Sequence, residues 1–278
     1  MMVVLIPSPS ISALSLGPLT IHLYALCIIT GIAVAIWIGR SRYSNLGGNP
    51  DDVSEVAIWA VPCGIIGGRI YHVISSPQKY FGENGNPADA LRIWQGGLGI
   101  WGAISLGAVG AYIYFKTHKT SLSFAKLLDS LAPGVIIAQA IGRIGNYFNQ
   151  EVFGKPTNLP WAIEIEAKNR PNGYEAITTF HPTFFYELLW CLFIALLLIK
   201  LPGFLNSVAR NSGDIFALYI AGYTAGRFWI EALRIDEANY ILGLRLNIWV
   251  SIIIFTSAVI YLYRSNRGGN TLDEPVAS

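Results

Sequence analysis

The chain has 278 residues, of which 53% are hydrophobic and 13% charged, with a mean hydropathy of +0.46. A soluble domain usually carries about a quarter charged residues, so this composition excludes the ordinary soluble class and points to an integral membrane protein. The formal net charge of +2 singles out no partner by its sign, and no nucleic-acid partner is expected.

A membrane span needs roughly 20 mostly apolar residues, and seven stretches of the sequence qualify. Residues 1–18 precede the first. They contain three prolines and no Lys or Arg, so they lack the basic start of a cleavable secretory signal. The first span, residues 21–39, opens with His22 and Tyr24. The connection 40–52 holds Asn-Leu-Gly-Gly-Asn-Pro, a strong turn signal. The second span, residues 53–75, carries Gly64 and Gly68 just ahead of Arg69; small residues four apart let helix backbones approach closely in lipid. Residues 76–95 read as a polar outer loop, and the third span, residues 97–115, has Trp101 near its start.

The fourth span, residues 124–144, carries Arg143 at its outer end. The longest insertion follows, residues 145–181, in which Trp161-Ala-Ile-Glu-Ile-Glu reads as a short strand or an interfacial segment. His181 starts the fifth span, residues 182–201; the sixth, residues 213–233, repeats the small-residue pattern at Gly222 and Gly226 ahead of Arg227. The seventh covers residues 246–263. The reading is an all-α polytopic membrane protein with one domain over 1–264, an extracytoplasmic insertion at 145–181 and a disordered tail at 265–278. Cys27, Cys63 and Cys191 fall inside spans, where they read as small packing residues rather than disulfide partners or metal ligands.

With the N-terminus outside, Arg40, Arg42, Lys116, Lys119, Lys126, Lys200, Arg210, Arg264 and Arg267 are all cytoplasmic. Basic residues are then about twice as dense inside as outside, which favours an outer N-terminus and a cytoplasmic C-terminus. In that topology Arg69, Arg143 and Arg227, with His22, Tyr24, Trp101 and His181, share the level of the outer leaflet. A guanidinium facing lipid costs at least ~2.5 kcal/mol, so three at one depth point to a protein-lined site. Gln139, Arg143 and Asn146 follow an i, i+4, i+7 spacing and share a face if their helix persists. Tyr219, Tyr223, Arg227, Glu231 and Arg234 form a second polar stripe, whose spacing also fits a plain ion pair between Arg227 and Glu231. Arginine stays charged when partly buried and grips phosphate through two parallel hydrogen bonds. The expected ligand is therefore a phospholipid headgroup, which leaves enzyme, lipid transporter and lipid-binding protein all open.

His-Glu-x-x-His, Gly-x-Ser-x-Gly, a Walker A loop and acidic clusters within the spans are all missing from the sequence, so neither a metal nor a nucleotide is expected.

The run Gly142-Arg-Ile-Gly-Asn-Tyr-Phe-Asn-Gln-Glu-Val-Phe-Gly154 resembles the signature of bacterial prolipoprotein diacylglyceryl transferases. Ile21-His-Leu-Tyr24, Gly67-Gly-Arg69, Ile93-Trp-Gln-Gly-Gly-Leu-Gly-Ile-Trp-Gly102, His181-Pro-Thr-Phe-Phe-Tyr-Glu187 and Arg227-Phe-Trp-Ile-Glu-Ala-Leu-Arg234 resemble further family motifs, in the same order. The resemblance implies seven transmembrane helices in a bacterial inner or plasma membrane, with the active site toward the outer leaflet. It implies transfer of diacylglycerol from phosphatidylglycerol to the lipobox cysteine of a preprolipoprotein signal peptide, with a thioether formed, glycerol phosphate released and no cofactor used. Carried onto this chain, Arg143 and Arg227 are the essential arginines. Asn146, Glu151 and Gly154 belong to the signature, and Tyr24 and Glu231 match further functional positions. Arg69, Tyr186 and Arg234 are the remaining expected substrate contacts, and His181 joins the catalytic candidates. Trp101 stands where many members carry a histidine proposed as a base. That leaves Glu151, His181, Glu231 and the departing phosphate as proton acceptors, and the reading favours activation of the thiol by the arginines without a dedicated histidine. A phospholipid flippase and a non-enzymatic receptor for lipoprotein precursors are the competing functions.

Overall fold

The structure, a computed structural model, describes residues 5–17, 19–82, 85–93, 96–200, 208–236 and 238–268. Each of the seven apolar stretches forms a long helix: α1 Leu23–Asn45, α2 Pro50–Ser75, α3 Ile100–Thr117, α4 Phe124–Asn149, α5 Thr183–Lys200, α6 Asp214–Leu233 and α7 Leu246–Gly268. By length and apolarity, five of them (α1, α2, α4, α5 and α7) are able to cross a membrane. The chain is mostly helical rather than purely so. Three small antiparallel pairs accompany the helices: β1 Ala13–Leu16 with β2 Leu19–His22, β3 Ile163–Glu164 with β4 Thr179–Phe180, and β5 Tyr240–Ile241 with β6 Leu244–Arg245.

Two compact units form, Gly39–Leu127 and the remainder, Met1–Ile38 with Leu128–Ser278. In the first, α2 starts at a built N-cap: Asn49 accepts the Asp51 amide, Pro50 occupies the first turn and Asp51 and Asp52 face the positive end of the helix dipole. Its small residues then meet α3 backbone to backbone. A methyl group on Gly67 would lie 2.2 Å from the Gly102 carbonyl oxygen, so no larger residue fits there.

In the second unit, α4, α5 and α6 share a core of Ile136 and Ala140 against Cys191, Ile194, Ala195 and Leu198, with Ile215 and Leu218 packed on it. Asp129 of α4 accepts the amides of Gly213 and Phe216 at 2.6 and 2.9 Å, so one helix caps the next. Gly226 makes room for Trp190, whose indole would be 2.2 Å from any added Cβ. The small residues ahead of Arg227 therefore do pack helices together.

Several boundaries shift by a few residues from expectation, and three of the shifts bear on the motifs and the tail. Residues 21 and 22 end a hairpin that turns at Gly17, with φ of 62°, so α1 begins at Leu23. Helix α4 persists to Asn149, one turn beyond the expected end. Helix α7 runs to Gly268 through the start of the expected tail, and residues 269–278 lie outside the described residues. Trp94 and Gln95 of the quoted motif also lie outside them. The insertion after α4 is a small apolar fold of its own, with Phe153, Ile163, Ile165, Phe180 and Phe184 buried together. Within it the Trp161–Glu166 segment supplies strand β3, which Ile6 joins by a parallel bridge.

An arginine–carboxylate network at the helix ends

The longer α4 places Arg143 and Asn146 on one face, and Arg143 Nη1 donates to Asn146 Oδ1 at 2.9 Å. Asn146 Nδ2 in turn donates to Glu151 Oε1 at 2.9 Å, and Asn149 Nδ2 to the same oxygen at 3.1 Å. Glu151 is exposed just past the helix. The loop that carries it is strained: Gln150 and Val152 have φ of 51° and 58°. A β-branched residue there is an outlier, and such strain costs of order 1–3 kcal/mol. Its surroundings hold it in place. Thr183 donates its hydroxyl to the Val152 carbonyl at 2.7 Å, and the Gly154 amide donates to the His181 carbonyl at 2.8 Å. Gly154 threads between α5 and α6; a Cβ there would lie 2.7 Å from Thr183 Cγ2 and 2.9 Å from the Leu233 oxygen.

Helix α5 contributes Glu187, only 1% exposed. Its Oε1 lies 3.2 Å from Arg143 Nη2 and accepts the Tyr223 hydroxyl at 3.0 Å; its Oε2 lies 3.1 Å from Arg227 Nη1. Arg227 of α6 continues the chain through Nη2, 2.7 Å from Glu231 Oε2. Glu231 is fully buried and takes three further donors: Arg234 Nη1 at 3.4 Å, Arg245 Nε at 2.8 Å and Asn247 Nδ2 at 3.2 Å. Asp236 closes the far end of the row. It holds Arg234 bidentately at 2.7 and 2.8 Å and Arg245 Nη2 at 3.1 Å. Burial alone would raise the Asp236 pKa, but the hydrogen bond from Arg234 and the charges of Arg234 and Arg245 outweigh it and hold it below the usual carboxylate range. Burial would likewise weaken the charge on Arg245, yet Glu231 and Asp236 push its pKa up.

The network is thus a row of guanidiniums alternating with carboxylates, built on three helix ends and the start of α7. Arg143 keeps its Nε–H buried with no partner among the described residues. An orphaned buried donor costs about 1–3 kcal/mol and calls for an acceptor from outside the chain. A phosphate oxygen is an acceptor of the right chemistry.

Of the residues singled out from sequence, Arg143, Asn146, Glu151, Arg227, Glu231 and Arg234 belong to this one network. Tyr24 packs on the α4 face beside it: a Cβ on Gly145 would sit 2.5 Å from its ring, and it lies within electrostatic reach of Glu151 and Arg143. His181 and Tyr186 form a separate chain. The Tyr186 hydroxyl accepts the Trp161 indole N–H at 2.9 Å and lies 3.0 Å from His181 Nδ1. Burial, and then the charge of Lys155, lower the His181 pKa, consistent with a neutral ring that accepts from Tyr186. Arg69 belongs to the other unit, where its guanidinium donates to the backbone carbonyls of Asp89, Ala90, Arg92, Gly96 and Gly97 and faces the Tyr80 ring. Those five carbonyls hold it as a loop clamp. Trp101, half-buried on α3, is in that same unit.

Sequence reasoning gave no site role to Glu187, Arg245, Asn247 or Asp236. Glu187 had a signal: it is the one acid in an otherwise apolar span, and an ionisable residue at such a place marks function by default. Arg245 reads in the sequence as an ordinary outer-loop charge, and only the fold turns it inward.

Residues 11–264 match the sequence profile of the prolipoprotein diacylglyceryl transferase family. The chain is similar to the phosphatidylglycerol–prolipoprotein diacylglyceryl transferase of Streptomyces griseus subsp. griseus, with 52% identity covering 94% of this chain and 78% of that protein. It is also 52% identical to the Corynebacterium efficiens protein of that name, covering 95% of this chain and 83% of the relative. The Cutibacterium acnes counterpart is 51% identical, covering 97% and 89%.

Proposed function

Because the chain belongs to the prolipoprotein diacylglyceryl transferase family, we infer that it is the enzyme that moves the diacylglyceryl group of phosphatidylglycerol onto the cysteine thiol of a prolipoprotein. The observation that carries this reading to particular atoms is the joining of Arg143 and Arg227 through Glu187, with one Arg143 donor left over.

In this reading the sulfur of the lipobox cysteine attacks the glycerol carbon that bears the phosphate. A carbon–sulfur bond forms, the carbon–oxygen bond breaks, and its electron pair leaves on the phosphate oxygen. Charge on the phosphate grows from one to two units as glycerol phosphate departs. Arg143 and Arg227 stabilise that growing charge; a preorganised donor of this kind is worth roughly 3–4 kcal/mol. The thiol proton needs an acceptor. Glu231 has both oxygens taken, three of its four donors being guanidiniums. His181 Nδ1 faces the Tyr186 hydroxyl. Glu151 is exposed and takes two neutral amide donors on one oxygen. These differences favour Glu151 as the proton acceptor, with Asn146 and Asn149 orienting it. Tyr24, Asn146, Gly154, Tyr186 and Arg234 are the site's supporting residues in this reading, Asn146 by holding Glu151 and Gly154 by seating the loop that carries it.

The topology that suits this chemistry counts α3 and α6 as two further spans, making seven, with the N-terminus outside and the C-terminus cytoplasmic. The network then lies at the phosphate level of the outer leaflet of a bacterial inner or plasma membrane. The insertion after α4 faces the compartment from which precursor signal peptides reach the membrane.

The test is glycerol phosphate release by the purified protein with phosphatidylglycerol and a lipobox-cysteine peptide. Release by wild type and its loss in folded Arg143→Ala support the reading. Peptide binding without release in either protein would sink it in favour of a receptor.

A further inference from the structure

The hairpin between α6 and α7 pairs Tyr240 with Arg245 and Ile241 with Leu244, leaving Leu242 and Gly243 as a two-residue turn. Both turn residues have positive φ, 50° and 77°, the pattern of a type I′ turn. That turn favours Asn or Asp at its first position and disfavours a bulky side chain there. Leu242 is nevertheless that residue, and it is 87% exposed. Tyr240, Ile241 and Leu244 around it are exposed as well. The segment from Ala238 to Leu244 contains no charge. A strained backbone that presents an apolar side chain away from the protein gains nothing inside the chain.

The hairpin is nonetheless firmly seated. The Trp249 indole in the first turns of α7 donates to the Ile241 carbonyl at 2.9 Å, and the Leu246 amide donates to the Asn239 carbonyl at 2.8 Å. At its other end Arg245 is buried on Glu231 and Asp236. Helix α7, long and apolar enough to cross a membrane, begins at the next residue. Its residues Ile252, Ile253, Phe255, Val259 and Ile260 are exposed and apolar as well. Tryptophan is the side chain favoured at the membrane–water boundary, which places the turn at the level where the span enters the bilayer.

We propose that the Tyr240–Arg245 hairpin is a membrane-contact element: Leu242 and its apolar neighbours enter the headgroup–acyl boundary beside α7. Lipid then covers the exposed leucine, and the depth of the hairpin fixes the depth of Arg245 and of the two carboxylates it holds. An uncharged, strained apolar tip that leads straight into a span fits phospholipid better than a charged partner.

The experiment replaces Leu242 with photoreactive benzoylphenylalanine in the full chain, reconstituted in phosphatidylglycerol vesicles, with the same probe at exposed Asn172 as a control. Irradiation followed by mass spectrometry reads the adduct. A phospholipid adduct at position 242, with or without lipobox peptide, and none at 172, is the expected result. No lipid adduct at 242, or its replacement by a peptide adduct when peptide is added, overturns the proposal. Leu242→Asn suits the turn better and gives a second reading. It is expected to lower activity on vesicular phosphatidylglycerol severalfold while sparing short-chain phosphatidylglycerol dispersed in detergent. Unchanged activity on vesicles, or equal loss on both substrates, would also overturn it.

Discussion

Arg143 and Arg227 come from different helices and are tied to opposite oxygens of one buried carboxylate, Glu187, at 3.2 and 3.1 Å. Two cations that would repel each other are thereby held as one unit. Removing one partner of a buried ion pair costs about 3–5 kcal/mol because a charge is left uncompensated. Glu187→Ala is therefore expected to lose folded protein or melt markedly earlier in detergent. Glu187→Gln keeps shape and hydrogen-bonding capacity, so it should fold while turnover drops at least tenfold as the guanidiniums shift. Thermal melting read beside glycerol phosphate release separates these effects, and full turnover by folded Glu187→Gln would refute the shared-counterion role.

Arginine and lysine are not equivalent where a planar fork grips two oxygens. Arg143→Lys keeps the charge but loses both the Asn146–Arg143–Glu187 geometry and the unpartnered Nε–H. Turnover is expected to fall about a hundredfold or more, on the scale of one lost charge-stabilising donor. Measured kcat with saturating phosphatidylglycerol and peptide checks this, and an unimpaired lysine variant would rule out the fork.

The long helices could be read from the sequence because each apolar stretch is bounded by turn or polar residues, and Arg143 and Arg227 stood out because guanidiniums are rare in spans. The continuation of α4 brought Asn146 onto the Arg143 face, which the i, i+4, i+7 spacing had anticipated. Partner choice was less legible. Spacing within α6 anticipated the Arg227–Glu231 pair, but the Arg227–Glu187 pair joins residues of different helices and has no local signature. Arg69 is a second case: its partners are backbone carbonyls of a loop 20 to 28 residues further on, which no residue type announces. Strain at Gln150 and Val152 left no trace in residue type, since neither is a residue that favours positive φ.

Gly154 offers a steric test of the loop that carries Glu151. An added methyl would press on Thr183 Cγ2 at 2.7 Å and on the Leu233 carbonyl at 2.9 Å, and overpacking of this kind typically costs 1–3 kcal/mol. Gly154→Ala is expected to lower melting modestly and activity strongly, because the displaced loop moves Glu151 off the Asn146–Asn149 pair. Equal activity with unchanged melting would mean that the loop relaxes freely and that its position does not matter.

His181 supplies a pH test that separates a supporting role from a base. Burial, then the charge of Lys155, hold its folded pKa below the ordinary value of about 6.5. For a depressed group the sign is fixed: the folded state prefers the neutral ring. The stability this contributes is fully present above the unfolded pKa, and it is lost as pH falls from there through the folded pKa. Wild-type melting in detergent should therefore decline on acidification below about pH 6.5, and His181→Gln should flatten that part of the decline. Because Nδ1 already faces the Tyr186 hydroxyl at 3.0 Å, the same variant is expected to retain most turnover at pH 8. Abolished turnover in a variant that melts like wild type would instead make His181 the proton acceptor and displace Glu151 from that role.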